Sequence, residues 1–218
     1  MNLSDIDVLI LCGGQGSRLR GVLPERTPKA MAEIDGRPFL DHLTSYLFST
    51  GFEKFILCLG YQPELIERYF ADQPRFEFSR ENDGPLGTGG AIANALPIIG
   101  SDFFFVINGD TYCQLDFADI LKNHLESGFD VTVPYDNQYR HIGTYLLSKK
   151  AIRAAVEELG PKFGLEAAFA IFPKKKILVN WYPTDVEFHD IGTPESLENF
   201  RRFWREKKIG NANCKDSR

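Results

Sequence analysis

Four short segments of this chain hold residue types suited to phosphate chemistry. The first, Gly13-Gly14-Gln15-Gly16-Ser17-Arg18-Leu19-Arg20, follows the apolar run Val8-Leu9-Ile10-Leu11-Cys12. Clustered glycines let backbone N–H groups come close to an anion, and the two arginines add charge. The second, Thr27-Pro28-Lys29-Ala30-Met31, presents a lysine beside a rigid proline, as a phosphate ligand would be presented. The other two carry carboxylates: Asn108-Gly109-Asp110 and Asp190-Ile191-Gly192-Thr193-Pro194. Carboxylate oxygens suit a hard cation such as Mg²⁺. Each segment also has a plainer reading, as a glycine turn, a solvated loop lysine, or a capping aspartate. Two familiar nucleotide motifs do not fit. The dinucleotide fingerprint fails because Leu19 stands where its third glycine belongs, and because the second strand ends in Gly60-Tyr61 rather than in a ribose-binding acid. The ATPase P-loop fails because no Gly-Lys-Ser/Thr follows.

For these segments to act together, the elements before them must end at one place. Residues 8–12, 55–59 and 103–107 are near-continuous apolar runs, each followed closely by glycine. That pattern marks strands buried on both faces of a parallel sheet. Helical stripes lie between and after them: Leu40, Leu43, Tyr46 and Leu47; Leu65, Ile66, Tyr69 and Phe70; Phe117, Ile120, Leu121 and Leu125; Ile152, Ala155, Val156 and Leu159. Further strands are predicted at 131–133, 144–147, 177–181 and 186–189, some of them antiparallel at one edge. Thr193-Pro194-Glu195 opens a last helix with a cap followed by an N1 proline. The expected fold is α/β: a single-domain, Rossmann-like three-layer sandwich with a mostly parallel sheet and an antiparallel edge. The domain is expected over residues 1–206, with a frayed polar tail over 207–218. Ligands of such sheets bind at the carboxyl ends of the strands. Asp110 and Asp190 each end a predicted strand, so the parallel sheet should bring both carboxylates to one edge. Their repulsion in metal-free protein predicts that Asp→Asn at either position raises the melting temperature.

Composition narrows the function further. The chain has 218 residues, 43% of them hydrophobic, and a formal net charge of −5. That charge argues against a duplex nucleic-acid partner, which needs a basic face. No apolar run approaches the roughly 20 residues that span a bilayer, so no membrane association is expected. Residues 1–7 lack the basic start and small-residue cleavage site of a secretory leader. Cys12, Cys58, Cys113 and Cys214 are widely spaced, with no C-x-x-C pair; Cys12 and Cys58 sit within apolar runs as core thiols. A reduced, cytoplasmic setting is expected.

Read together, the segments resemble the sugar-1-phosphate nucleotidyltransferases, also called NDP-sugar pyrophosphorylases. Their signature G-G-x-G-[ST]-R-L, then P-K-x-M, then I-x-G-x-P-x-L appears as Gly13-Gly14-Gln15-Gly16-Ser17-Arg18-Leu19, Pro28-Lys29-Ala30-Met31 and Ile34-Asp35-Gly36-Arg37-Pro38-Phe39-Leu40. Pro85-Leu86-Gly87-Thr88-Gly89-Gly90-Ala91 is similar to the family's base-contacting L-G-T-[AG]-G-A loop, and Asn108-Gly109-Asp110 and Asp190-Ile191-Gly192-Thr193-Pro194 to its N-G-D and D-I-G-T-P. The resemblance covers roughly residues 7–200 and is nearest the bacterial heptose 1-phosphate guanylyltransferase branch. It implies a GT-A-like nucleotidyltransferase fold and the joining of an NTP and a sugar 1-phosphate with loss of pyrophosphate. By the same resemblance Arg18, Lys29 and Asp110 are catalytic, and Asp110 and Asp190 hold Mg²⁺. Leu11, Gly13, Gly14, Gly16, Ser17, Gly87 and Thr88 would bind the nucleotide, and Gly109, Gly143 and Glu166 the sugar phosphate.

One stretch departs from the family. Relatives carry a hairpin with a Glu-Lys-Pro turn after the strand at 131–133, whereas this chain runs through Pro134-Tyr135-Asp136-Asn137-Gln138-Tyr139-Arg140-His141 directly to Ile142-Gly143-Thr144-Tyr145. Acidic residues that follow the family's sugar-binding Glu are here Ala167-Ala168-Phe169. Sugar-phosphate recognition must differ, with Arg140 or His141 as candidates. Two rival functions remain at this point: a dinucleotide-dependent oxidoreductase and a non-catalytic nucleotide-sugar sensor.

Overall fold

The apolar runs pair directly: β1 (Asp7–Leu11) lies between β4 (Lys54–Leu59) and β6 (Phe103–Asn108), parallel to both. A computed structural model describes residues 1–82 and 84–215, with side chains through residue 208. Beyond β4 lies β5 (Phe76–Arg80), and on the other side follow β9 (Thr144–Ser148), β8 (Val131–Tyr135) and β10 (Val179–Pro183), making a sheet of order β10-β8-β9-β6-β1-β4-β5. Antiparallel pairing lies on the β10 side, where β9 opposes both β6 and β8. Two short ribbons complete the strands: β2 (Glu33–Ile34) with β3 (Arg37–Pro38), and β7 (Thr111–Cys113) with β11 (Phe188–Asp190).

Side chains alternate across the sheet and build a core on each face. On one, Val8, Ile10, Phe105 and Ile107 pack under α1 (Phe39–Ser49), α2 (Pro63–Phe70), α4 (Phe117–Ser127) and the start of α7 (Pro194–Lys215). On the other, Leu9, Ile56, Phe104 and Val106 pack under α3 (Gly87–Ala95), α5 (Lys149–Leu159) and α6 (Leu165–Ile171). The three-layer sandwich is therefore as expected from the apolar patterning. Thr193 caps α7, its hydroxyl accepting from the Ser196 N–H at 3.1 Å. Helix α7 runs on to Lys215, so the backbone from 207 is helical where a frayed tail was expected; residues 216–218 of that tail, and the Cys214 side chain, lie outside the described residues.

The α4 face carries a buried titratable group. His124, 1% exposed, shares a 2.8 Å hydrogen bond with the Thr132 hydroxyl, lies edge-on to Phe103, and has no partner for its Nε2 among the described residues. Burial holds its pKa down at about 4. The unfolded chain takes up this proton near pH 6.5 and the folded protein does not. Stability is thus full above pH 6.5 and falls as pH drops towards 4, by on the order of 3 kcal/mol. Unfolding at pH 7 and at pH 4.5 should show His124→Leu losing less stability on acidification than wild type; equal losses would show that the ring does not set this dependence.

Candidate active site

The glycine-rich turn begins where β1 ends, and the next strands set its path. Cys12 N–H donates to the Cys58 carbonyl at 2.9 Å and Gly109 N–H to the Leu11 carbonyl at 3.0 Å, so the ends of β4, β1 and β6 are in register. Gly16 adopts φ +61°, and a Cβ there would stand 3.0 Å from the Lys29 Cβ. A left-handed residue without a side chain is what lets the glycine turn lie against the lysine segment. Gly87, at φ +77°, would place a Cβ 2.6 Å from the Phe163 carbonyl oxygen, which closes α3 onto the chain ahead of α6. Thr88 Oγ1 accepts the Leu165 N–H at 2.8 Å and ties the two helix starts together.

Between these elements is a cavity of about 330 Å³ at the carboxyl ends of β1 and β6. Its walls include Leu11, Gly13, Gly14, Lys29, Gly87, Thr88, Gly109 and Asp110. The Lys29 ammonium forms an ion pair with Asp110 Oδ2, while the Thr111 hydroxyl donates to Oδ1 at 3.1 Å. Glu81, Cys12, Cys58, Pro85 and Asn108 also line the cavity. Burial pushes the Cys58 thiol up to about 12 and the Cys12 thiol well above its ordinary range, so both stay protonated and act as apolar floor rather than nucleophiles. Glu81 was not legible as a site residue. One of its oxygens accepts the Leu86 N–H at 2.8 Å, and the other would lie 3.0 Å from a Cβ on Gly13.

The remaining candidates surround the cavity without lining it. Gly16 and Ser17 start the short 3₁₀ turn Ser17–Leu19 that carries Arg18 outward. The Arg18 guanidinium is exposed, pairs with no carboxylate among the described residues, and would lie 3.4 Å from a Cβ on Gly192. It therefore rests against the turn that follows Asp190. Gly143 accepts the Asn108 N–H at 2.8 Å. Glu166 is exposed in the first turn of α6 and its charge adds to burial in pushing the Tyr145 phenol up to about 12.

Asp190 reaches the site by a different route from the one expected. It pairs with Thr111 in the antiparallel β7–β11 ribbon, and Ile191 N–H donates to the Asp110 carbonyl at 3.0 Å. The main sheet delivers Asp110, two residues beyond the end of β6, whereas Asp190 comes from the antiparallel ribbon and not from a strand of that sheet. The segment that replaces the family hairpin is a tight turn closed by a single Tyr135–His141 bridge. Arg140 is committed there: its Nη2 lies 2.7 Å from Asp136 Oδ2, and its guanidinium sits 5.1 Å from the Phe188 ring centre. His141 is exposed and shares a 3.2 Å contact through Nδ1 with the Tyr145 hydroxyl.

Residues 8–176 match the family model described as a MobA-like NTP transferase domain. The chain belongs to the MobA-like NTP transferase family. It is 32% identical over 229 residues to the D-glycero-alpha-D-manno-heptose 1-phosphate guanylyltransferase of Aneurinibacillus thermoaerophilus, across 90% of this chain and 97% of that one. The Campylobacter jejuni protein of the same name is 33% identical over 156 residues, 70% of this chain and 68% of its own length. A crystal structure of HddC from Yersinia pseudotuberculosis complexed with GMP-PN superposes with a TM-score of 0.76 at 34% identity, covering 91% of this chain and 99% of that one. As a member of this family the chain is an NTP transferase, and the oxidoreductase reading falls away. Among the described residues no helix of the transferase is long and apolar enough to cross a membrane.

Proposed function

We propose that this transferase moves a guanylyl group from GTP to a heptose 1-phosphate, forming a nucleotide sugar for surface polysaccharide and releasing pyrophosphate. The observation that carries the reading is the Lys29–Asp110 pair on the wall of a glycine-walled cavity at the ends of β1 and β6. The names of the relatives support the substrate pair.

The reaction is an in-line attack of a sugar-phosphate oxygen on the α-phosphorus of GTP. Two anions must approach, so the work is alignment and neutralisation. The attacking oxygen is already ionised near neutral pH, and no general base is needed. Gly13 and Gly14 offer backbone N–H groups to the phosphates. Lys29 holds the α-phosphate, where charge changes most, and Arg18 the departing pyrophosphate. Gly109, Gly143 and Glu166 would orient the sugar phosphate, with Glu166 accepting from its hydroxyls. A divalent cation fits the donors present: Asp110 and Asp190 offer hard oxygens, and Asp190 Oδ2 accepts no hydrogen bond among the described residues, Oδ1 taking the Gly192 N–H at 2.7 Å and the Ser196 hydroxyl at 3.1 Å. Mg²⁺ held there supplies charge that offsets phosphate repulsion. Residues 1–206 constitute the transferase unit in this reading, and its cytoplasmic setting follows from where NTPs are available.

Glu81 supplies a reason for guanine. Its oxygen beside Gly13 can accept from N1–H and the exocyclic amine, a donor edge that adenine, uracil and cytosine do not share. Purified protein should release pyrophosphate only when GTP, a heptose 1-phosphate and Mg²⁺ are all present. Glu81→Gln should lower kcat/KM for GTP by roughly 10- to 100-fold, since it sets a donor against donors. If nucleotide or nucleotide sugar binds but no NTP and sugar 1-phosphate in a broad panel turn over, the protein is a sensor instead. Unchanged preference for GTP in Glu81→Gln would remove that residue from base selection.

A further inference from the structure

The ribbon that brings Asp110 and Asp190 together is too small to hold its own geometry. It has three residue pairs, Thr111 with Asp190, Tyr112 with His189, and Cys113 with Phe188. Two isolated strands of that length are not stable by themselves. Alternation puts Tyr112 and His189 on one face and Thr111 and Asp190 on the other. The Tyr112–His189 face packs against α7 and, through Tyr46 with its ring centre 5.1 Å from that of Tyr112, against α1. The Tyr112 ring lies 5.7 Å from Phe200 and 5.6 Å from Trp204, and the His189 ring stacks 4.0 Å from Phe203. Phe200, Phe203, Trp204 and Lys207 follow the i, i+3, i+4, i+7 spacing of a single helix face.

Lys207 is the unexpected member of that face. Its Nζ lies 2.6 Å from the Tyr112 hydroxyl and 4.9, 5.5, 5.8 and 6.0 Å from the ring centres of Tyr112, Trp204, Phe203 and Tyr46. No carboxylate pairs with it among the described residues. Packing alone would be served by a leucine or methionine, without the cost of a half-buried charge. What the ammonium adds is a directed bond to one phenol. That phenol belongs to the residue two after Asp110, and its cross-strand partner His189 adjoins Asp190.

We propose that the Lys207–Tyr112 bond positions the Asp110 and Asp190 carboxylates, so that divalent-cation affinity depends on a helix residue that touches neither metal nor substrate. This rests on the metal-dependent reading above. Lys207 and Tyr112 are positioning residues, comparable to the outer partners that orient metal ligands elsewhere.

The test uses the full chain, with Lys207→Met and Tyr112→Phe made singly and together. Binding of Mn²⁺ is followed by the EPR signal of the free ion, with a non-hydrolysable GTP analogue present. Each variant should raise the Mn²⁺ Kd by roughly tenfold. The double variant should be no weaker than the singles, because both remove the same bond. Affinity for the analogue in EDTA should be unchanged, and kcat at saturating Mg²⁺ should stay near wild type. A lower melting temperature with unaltered Mn²⁺ affinity would overturn the proposal and leave a purely structural contact. If Lys207→Met does not fold, Tyr112→Phe, which removes a single oxygen, decides the matter. Wild-type protein that binds no Mn²⁺ would overturn the metal-dependent reading and this proposal together, whereas binding that neither variant alters overturns the proposal alone.

Discussion

Asp110→Asn is expected to lower Mg²⁺-dependent pyrophosphate release by on the order of 10³-fold while leaving the fold intact. The amide keeps the size of the side chain and its contact with Thr111, so β6 and β7 should keep their course. It loses the charge that offers a hard-cation ligand and that holds the Lys29 ammonium in place. The effect on stability separates the two aspartates. From sequence, mutual repulsion of Asp110 and Asp190 predicts that neutralising either one stabilises metal-free protein. The structure reverses that expectation for Asp110. Its carboxylate is already paired, with the Lys29 and Asp110 side chains 17% and 25% exposed, so the asparagine variant leaves a half-buried ammonium without its partner. Asp110→Asn should therefore melt below wild type in EDTA. Asp190→Asn should melt close to it, since Asp190 is exposed and contributes only local bonds to Gly192 and Ser196. Its activity should nonetheless require much more Mg²⁺. Wild-type turnover at low Mg²⁺ in either variant would reduce that aspartate to a turn residue.

The contrast between these residues shows what the sequence carries. Gly13 and Asp110 were legible at the ends of two clear apolar runs, whereas Lys29 and Gly87 stood out only through the resemblance of their motifs to the family. The cavity they share follows from the strand order, which buried apolar runs largely dictate. The meeting of Asp110 with Asp190 was legible as a pairing but not as a geometry. It depends on two three-residue strands, of which only the second was foreseen, as a strand at 186–189, and on their antiparallel pairing outside the main sheet. Glu81 was hidden for a related reason. Phe76-Glu77-Phe78-Ser79-Arg80 alternates apolar and polar residues without a continuous run, and so β5, the edge strand that delivers Glu81, gave no buried-strand pattern. Lys207 was hidden by composition: a charged residue after the last apolar stripe reads as tail until the rings around it are in view. Arg140 is a different case. Its charge suggested a phosphate ligand in the shortened segment, and only the structure reveals that Asp136 already holds it.

Lys29→Ala and Arg18→Ala should each lower kcat by roughly 10²–10³-fold, with smaller changes in KM for GTP. In the proposed reaction both side chains would face groups whose charge changes as the guanylyl group is transferred, so their contribution would be larger in the transition state than in the ground state. Their settings differ, and the difference makes the pair informative. Arg18 is exposed and has no carboxylate partner among the described residues, so its removal should leave the melting temperature unchanged. Any loss of rate in Arg18→Ala is then chemistry rather than folding. Lys29 is bound to Asp110, and in the proposed mechanism its ammonium would pass from that carboxylate to the incoming phosphate of GTP. Removing it should therefore lower the melting temperature as well as the rate. Lys29→Arg keeps the charge but not the compact ammonium, and should restore stability more fully than kcat. If Arg18→Ala and Lys29→Ala keep near-normal kcat while GTP binding weakens, the glycine-rich turn serves binding alone and the charge that drives pyrophosphate departure comes from elsewhere in the site.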